Sequence, residues 1–103
     1  MTITVGGTRV LHSTFSNVNG RDDHRQSYPG TYPGPLHDAA TGAIAKNVLG
    51  YPGSSNHNED SIYRFRFEVD HTAGSIIVEI KGTNITPPPD EWWGIDNVRV
   101  IVR

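Results

Sequence analysis

Ser61-Ile62-Tyr63-Arg64-Phe65-Arg66-Phe67-Glu68-Val69-Asp70 alternates between aromatic or aliphatic side chains and charged ones. Successive side chains of an extended chain point to opposite faces. Tyr63, Phe65, Phe67 and Val69 therefore share one face, and Arg64, Arg66 and Glu68 the other. The pattern predicts a half-buried antiparallel strand.

The flanking sequence continues in the same style. After His71-Thr72-Ala73-Gly74, the run Ser75 to Lys81 is expected to turn Ile76, Val78 and Ile80 inward, with Glu79 and Lys81 toward water. Trp93 to Val102 puts Val98, Val100 and Val102 on one apolar face, opposite Asn97, Arg99 and Ile101. Pro87-Pro88-Pro89 between these two runs cannot donate backbone hydrogen bonds and reads as a stiff connection. At the other end of the chain, Thr2 to Val5 and Thr8 to Phe15 are rich in β-branched residues and flank Gly6-Gly7. That pair suits a tight hairpin turn with positive φ.

The eleven glycines and seven prolines concentrate between these ends, in a long loop region over residues 16–59. Tyr28-Pro29-Gly30, Tyr32-Pro33-Gly34-Pro35 and Tyr51-Pro52-Gly53 are each a Pro-Gly turn preceded by an aromatic. Leu36 to Leu49 fits either a short helix interrupted at Gly42 or a strand at 43–49. A structureless loop of such length is uncommon unless it is packed or functional, so at least one further strand is expected there. Short strands, Gly/Pro turns and no helical periodicity indicate an all-β chain, an antiparallel sandwich or barrel forming one domain over 1–103.

Composition narrows the function classes. Nine Lys and Arg against eleven Asp and Glu leave a formal charge of −2, without the basic patch that nucleic acid or an anionic membrane would require. No run approaches the ~20 apolar residues of a membrane span, and Met1 to Gly7 has no signal-peptide pattern. The absence of cysteine removes disulfides, thiolate metal sites and cysteine nucleophiles together.

Three groups of residues have chemistry to offer. Asp96, two residues before Val98, is expected on the core face, where a carboxylate needs backbone donors, an Arg partner or a cation. With Asp90, Glu91 and Asp60 it forms a candidate oxygen set for calcium, against the plainer reading of an Asp that fixes a loop. Trp92-Trp93 would send its rings to opposite sides of an extended chain. Trp92 and the loop tyrosines Tyr28, Tyr32 and Tyr51 then make a candidate aromatic platform for a sugar ring, against the reading in which they pack and pin their own turns. His12, His24, His37, His57 and His71 show no metal-ligand spacing; a metal-dependent hydrolase using His24, His57 and Asp60 is the competing enzymatic reading. No Ser-His-Asp set, carboxylate pair or phosphate loop stands out, and the chain reads as non-enzymatic.

Asp90-Glu91-Trp92-Trp93-Gly94-Ile95-Asp96-Asn97-Val98 resembles the closing strand of bacterial exported jelly-roll domains ending in Asp-Glu-Ser-Trp-Gly-Ile-Asp-Asn-Val, with Trp92 where Ser is usual. Leu11 to Asn17, Gln26 to Pro29, Thr41 to Ala43, Leu49 to Tyr51 and Asp60 to Phe65 fall in the order that family shows, so the resemblance covers most of the chain. Reelin repeats, MAM domains and carbohydrate-binding jelly rolls are more distantly similar; there the matching Asp often belongs to a structural calcium site. The resemblance implies an extracellular or cell-surface jelly-roll module that binds carbohydrate or other copies of itself, including as a filament subunit, with calcium as a structural ion near Asp96. In the bacterial family these motifs form the C-terminal half of a larger domain. It therefore also implies a truncated sandwich, completed by a further strand in Leu36 to Leu49 or by a partner chain in a homo-oligomer.

Overall fold

A computed structural model describes residues 1–17, 24–50, 60–85 and 92–103. Their strands are β1 (Thr2–Val5), β2 (Thr8–His12), β3 (Ala45–Lys46), β4 (Ser61–Ile62) and β5 (Val78–Lys81), and helical geometry among the described residues is confined to His24, a 3₁₀ residue. The chain is all-β, with antiparallel pairing throughout. One sheet has the order β2-β1-β5 and the other pairs β3 with β4.

The hairpin forms where Gly6-Gly7 predicts it. Val5 pairs with Thr8, leaving a two-residue turn with φ of 56° at Gly6 and 83° at Gly7. Two positive φ values in succession are the type I′ geometry that matches the twist of flanking strands. Ile3 opposes Leu11 but Thr4 opposes Arg9, so Val10 is an extra residue and β2 is bulged. β5 pairs with β1 without such a shift, Ile3 opposite Ile80 and Val5 opposite Val78. These residues share one sheet face, on which Ile3 is nearly fully buried. Val78 remains more open to solvent than the alternation of Ser75 to Lys81 predicts, because nothing pairs with the outer edge of β5 among the described residues.

Within Leu36 to Leu49 neither the helix nor the full strand at 43–49 forms: only Ala45–Lys46, β3, is a strand, paired with β4 through Ala45 opposite Ile62, and the rest is turns, bends and an isolated bridge at His37. The rest of the loop region is held by polar contacts. Gln26 is fully buried and its backbone bridges to His37, with N–H···O distances of 2.9 and 2.7 Å. Its side chain is satisfied at both ends: Oε1 accepts from Ser16 N–H, Ala40 N–H and the Tyr63 hydroxyl, each at 3.1 Å. Nε2 donates to the carbonyls of Tyr28 and Thr41, each at 2.9 Å. Buried Ser27 and Thr14 exchange backbone and hydroxyl bonds, and the buried Ser13 hydroxyl donates to Gly30 O at 2.6 Å. A loop can be buried only when its backbone groups find partners, and here short polar side chains supply them.

Against this polar layer lies an aromatic cluster. Phe15 stacks on Tyr28 at 5.0 Å and meets Tyr63 edge-on at 4.8 Å. Tyr63, Phe65 and Phe67 follow at 6.2 and 6.0 Å with nearly parallel planes, as expected of every second residue in an extended chain. The face predicted for 61–70 is therefore present, although only Ser61–Ile62 belongs to a ladder.

The closing run differs from expectation. Residues 92–103 join no ladder, and Ile95, Val98, Val100, Ile101 and Val102 are all exposed, so neither face is covered. Asn97, at φ 55°, interrupts the extended alternation that would have carried Asp96 onto the face of Val98. The radius of gyration, 15.1 Å, exceeds the ~13 Å of a compact chain of this length.

Candidate functional site

The bulged strand β2, the Tyr28-Pro29-Gly30-Thr31 turn and the extended run Arg64 to Phe67 enclose a cleft of about 310 Å³. The fold builds it from three sequence features. The hairpin presents Val10 to Ser13, the Ser13 hydroxyl ties the second wall in place through Gly30, and alternation in 63–67 sets aromatics beside guanidiniums. Gly42 underlies this arrangement: with φ 80°, it lies where a Cβ would sit 2.7 Å from Cε1 of Tyr28, so only glycine lets that ring seat.

The cleft contains two Arg and one His and no carboxylate, in a chain of formal charge −2. Arg66 pairs with Glu68 at 3.1 Å, both side chains exposed, a contact of small energetic weight. The Tyr63 phenol, in the aromatic cluster behind it, is raised above its ordinary value of 10.0, chiefly by burial and against the opposing effect of its hydrogen bond with Gln26.

The predicted aromatic platform is divided. Tyr28 lines the cleft but stacks on Phe15, so its ring belongs largely to the packed cluster. Tyr32 is half exposed and meets the His12 ring at 5.5 Å, at the rim. Trp92 is 65% exposed and does not line the cleft; Trp93 instead lies against Gly82, with Nε1 2.5 Å from where a Cβ would be. Tyr51 lies outside the described residues.

The candidate calcium ligands are likewise apart. Asp60 is buried, and its two carboxylate oxygens accept from Val48 N–H at 2.9 Å and Leu49 N–H at 3.0 Å. That is the geometry of an Asp fixing a loop, here the segment after β3. Asp96 is exposed, not core-facing, and its Oδ1 accepts from Asn97 N–H at 2.7 Å. Asp90 and Glu91, with His57 of the hydrolase reading, lie outside the described residues. Among the described residues no three His, Asp or Glu side chains converge as a metal group would, and no helix is long and apolar enough to cross a membrane.

Sequence reasoning missed Gln26 and the cleft. The signal for Gln26 was faint: one amide among polar loop residues, flanked by a Ser and a Tyr-Pro-Gly turn. The cleft joins segments some fifty residues apart, and nothing in their local patterns couples them. No family model, curated protein or solved structure matches this chain.

Proposed function

We propose that this chain is a non-catalytic, extracellular or cell-surface β-sandwich module of jelly-roll type that works by associating with copies of itself. The observation that carries the reading is the apolar run at 92–103, exposed beside a sheet whose β5 edge is unpaired among the described residues. Isolated exposed apolar residues are ordinary; a contiguous set next to a free edge marks an interaction surface. The closing-strand resemblance supports the jelly-roll part. Molar mass by light scattering tests it, with a defined oligomer expected and a monomer at every concentration refuting it. Repeating the measurement after a chelator and with added calcium tests whether Asp96 and its neighbours use that ion in assembly; identical masses in both exclude it.

A second reading, carbohydrate binding, is favoured by the cleft. Aromatic walls suit the apolar faces of sugar rings, and Arg64, Arg66 and His12 offer donors to their oxygens. Retention on immobilised polysaccharides is expected to fall in Arg64→Ala and Arg66→Ala, which remove donors from the cleft wall; retention equal to that of the unaltered chain removes the cleft from the reading.

A further inference from the structure

We infer that residues Val98–Val102 form an intermolecular strand, which adds antiparallel to the free edge of β5 in a second copy of the chain. The inference rests on the self-association reading and names its contact.

Among the described residues the β5 edge is the open one. Gly6 N–H donates to Ile77 O at 2.9 Å, so Ile77, Glu79 and Lys81 turn their backbone groups toward β1. By the alternation of an antiparallel ladder, Ile76, Val78 and Ile80 turn theirs outward. The opposite edge of the sheet is already blunted: β2 carries the Val10 bulge, and His12 O accepts from Tyr32 N–H at 2.8 Å.

Val98-Arg99-Val100-Ile101-Val102 is the matching strand. It contains no proline and follows the left-handed Asn97, which separates it from the Trp93 anchor. Among the described residues its backbone makes no hydrogen bond. Set antiparallel with Val98 opposite Ile80, every pair is complementary. Val100 meets Val78 and Val102 meets Ile76 on the face that also holds Ile3. On the other face Arg99 meets Glu79, and Ile101, 69% exposed, meets Ile77, 77% exposed. The pairs at Ile76, Val78 and Ile80 are those whose backbone groups point to the free edge. Arg99 and Glu79 then fall at a wide, non-hydrogen-bonded pair, where side chains approach most closely. Glu79 also holds Lys81 at 3.2 Å, an exposed contact that leaves its second oxygen for Arg99.

A second copy fits better than the chain itself. Its own segment is held at one end by Trp93 over Gly82 and meets Glu68 through Arg103 at 3.7 Å, an exposed contact, and between these points it leaves β5 unpaired among the described residues. The other extended run, 64–69, matches less well: with Arg99 opposite Glu68, Ile101 falls against Arg66 and Arg103 against Arg64. Two copies exchanging this strand satisfy both edges by one two-fold operation.

Charge reversal tests the register. Arg99→Glu and Glu79→Arg each place like charges across both exchanged pairs, so dimerisation of either variant alone should weaken about tenfold. An equimolar mixture should recover the original affinity, because each variant's strand then meets an opposite charge on the other's edge. Sedimentation velocity on the full chain and both variants reads this directly, and recovery on mixing shows that both variants are folded. Val100→Pro, exposed and without a hydrogen bond to lose in the free chain, should yield a monomer. If the unaltered chain associates and both charge variants do so equally, this pairing is wrong and self-association stands. If the variants weaken but mixing restores nothing, the contact is not between copies and the pairing is again wrong. A monomeric unaltered chain overturns the pairing and the function reading together.

Discussion

Replacing Gln26 by Leu, a side chain of similar bulk without polar atoms, should be among the most destabilising single changes available to this chain. The structure gives the magnitude. Five bonds disappear: those accepted from Ser16 N–H, Ala40 N–H and the Tyr63 hydroxyl, and those donated to Tyr28 O and Thr41 O. Ala40 N–H keeps a partner, since it also donates to Ser16 O at 2.8 Å. Four groups are left short, and an unsatisfied buried group costs about 1–3 kcal/mol. Most of them are only partly buried and regain some hydration, which brings the expected loss to about 3–5 kcal/mol. Against a total stability of roughly 5–15 kcal/mol that is a large fraction, and at about 4–8 °C per kcal/mol it lowers Tm by about 12 °C or more. Urea denaturation followed by aromatic fluorescence measures the difference. Gln26→Glu separates hydrogen bonding from packing, because a carboxylate retains the three accepted bonds but turns an oxygen toward two carbonyls. It should be destabilised at neutral pH and partly recover as the pH falls and the acid regains a proton to donate. A Gln26→Leu loss under 1 kcal/mol, or a Gln26→Glu variant indifferent to pH, would refute the view that this amide organises the loops.

Other expectations follow from single contacts. Gly42→Ala should cost more than the ~1 kcal/mol of an unfavourable φ alone, because the added methyl meets the Tyr28 ring; thermal melts that match the unaltered chain would contradict the close approach. Asp60→Asn keeps one acceptor for the Val48 and Leu49 amides and should lose about 1–2 kcal/mol, with faster hydrogen exchange confined to those two amides. For Tyr63 the folded phenol titrates above its ordinary 10.0, so the folded state holds the proton longer. Its contribution is intact below pH 10 and is lost as pH rises above that value toward the folded pKa, and Tyr63→Phe should flatten the alkaline limb of a stability profile while costing about 1 kcal/mol at neutral pH.

The sequence by itself determined the local geometry. Gly6-Gly7 between β-branched runs specifies the hairpin, because few other residue pairs tolerate two positive φ values in succession. Alternation in 61–70 specifies the aromatic row, because an extended chain sends every second side chain to one side. Only the tertiary structure decided what these pieces meet. It made Asp60 a loop clamp and Asp96 an exposed turn carboxylate, although both carry the same functional group in polar surroundings, because burial and nearby backbone donors are set by distant segments. It placed Gln26 at the centre of bonds from Ser16, Ala40, Thr41 and Tyr63, and joined β2 to Arg64–Phe67 around a cleft. It also left Val98–Val102 unpaired despite an impeccable strand pattern. Periodicity prescribes how a strand would present its faces, but a ladder forms only when another edge supplies the missing hydrogen bonds.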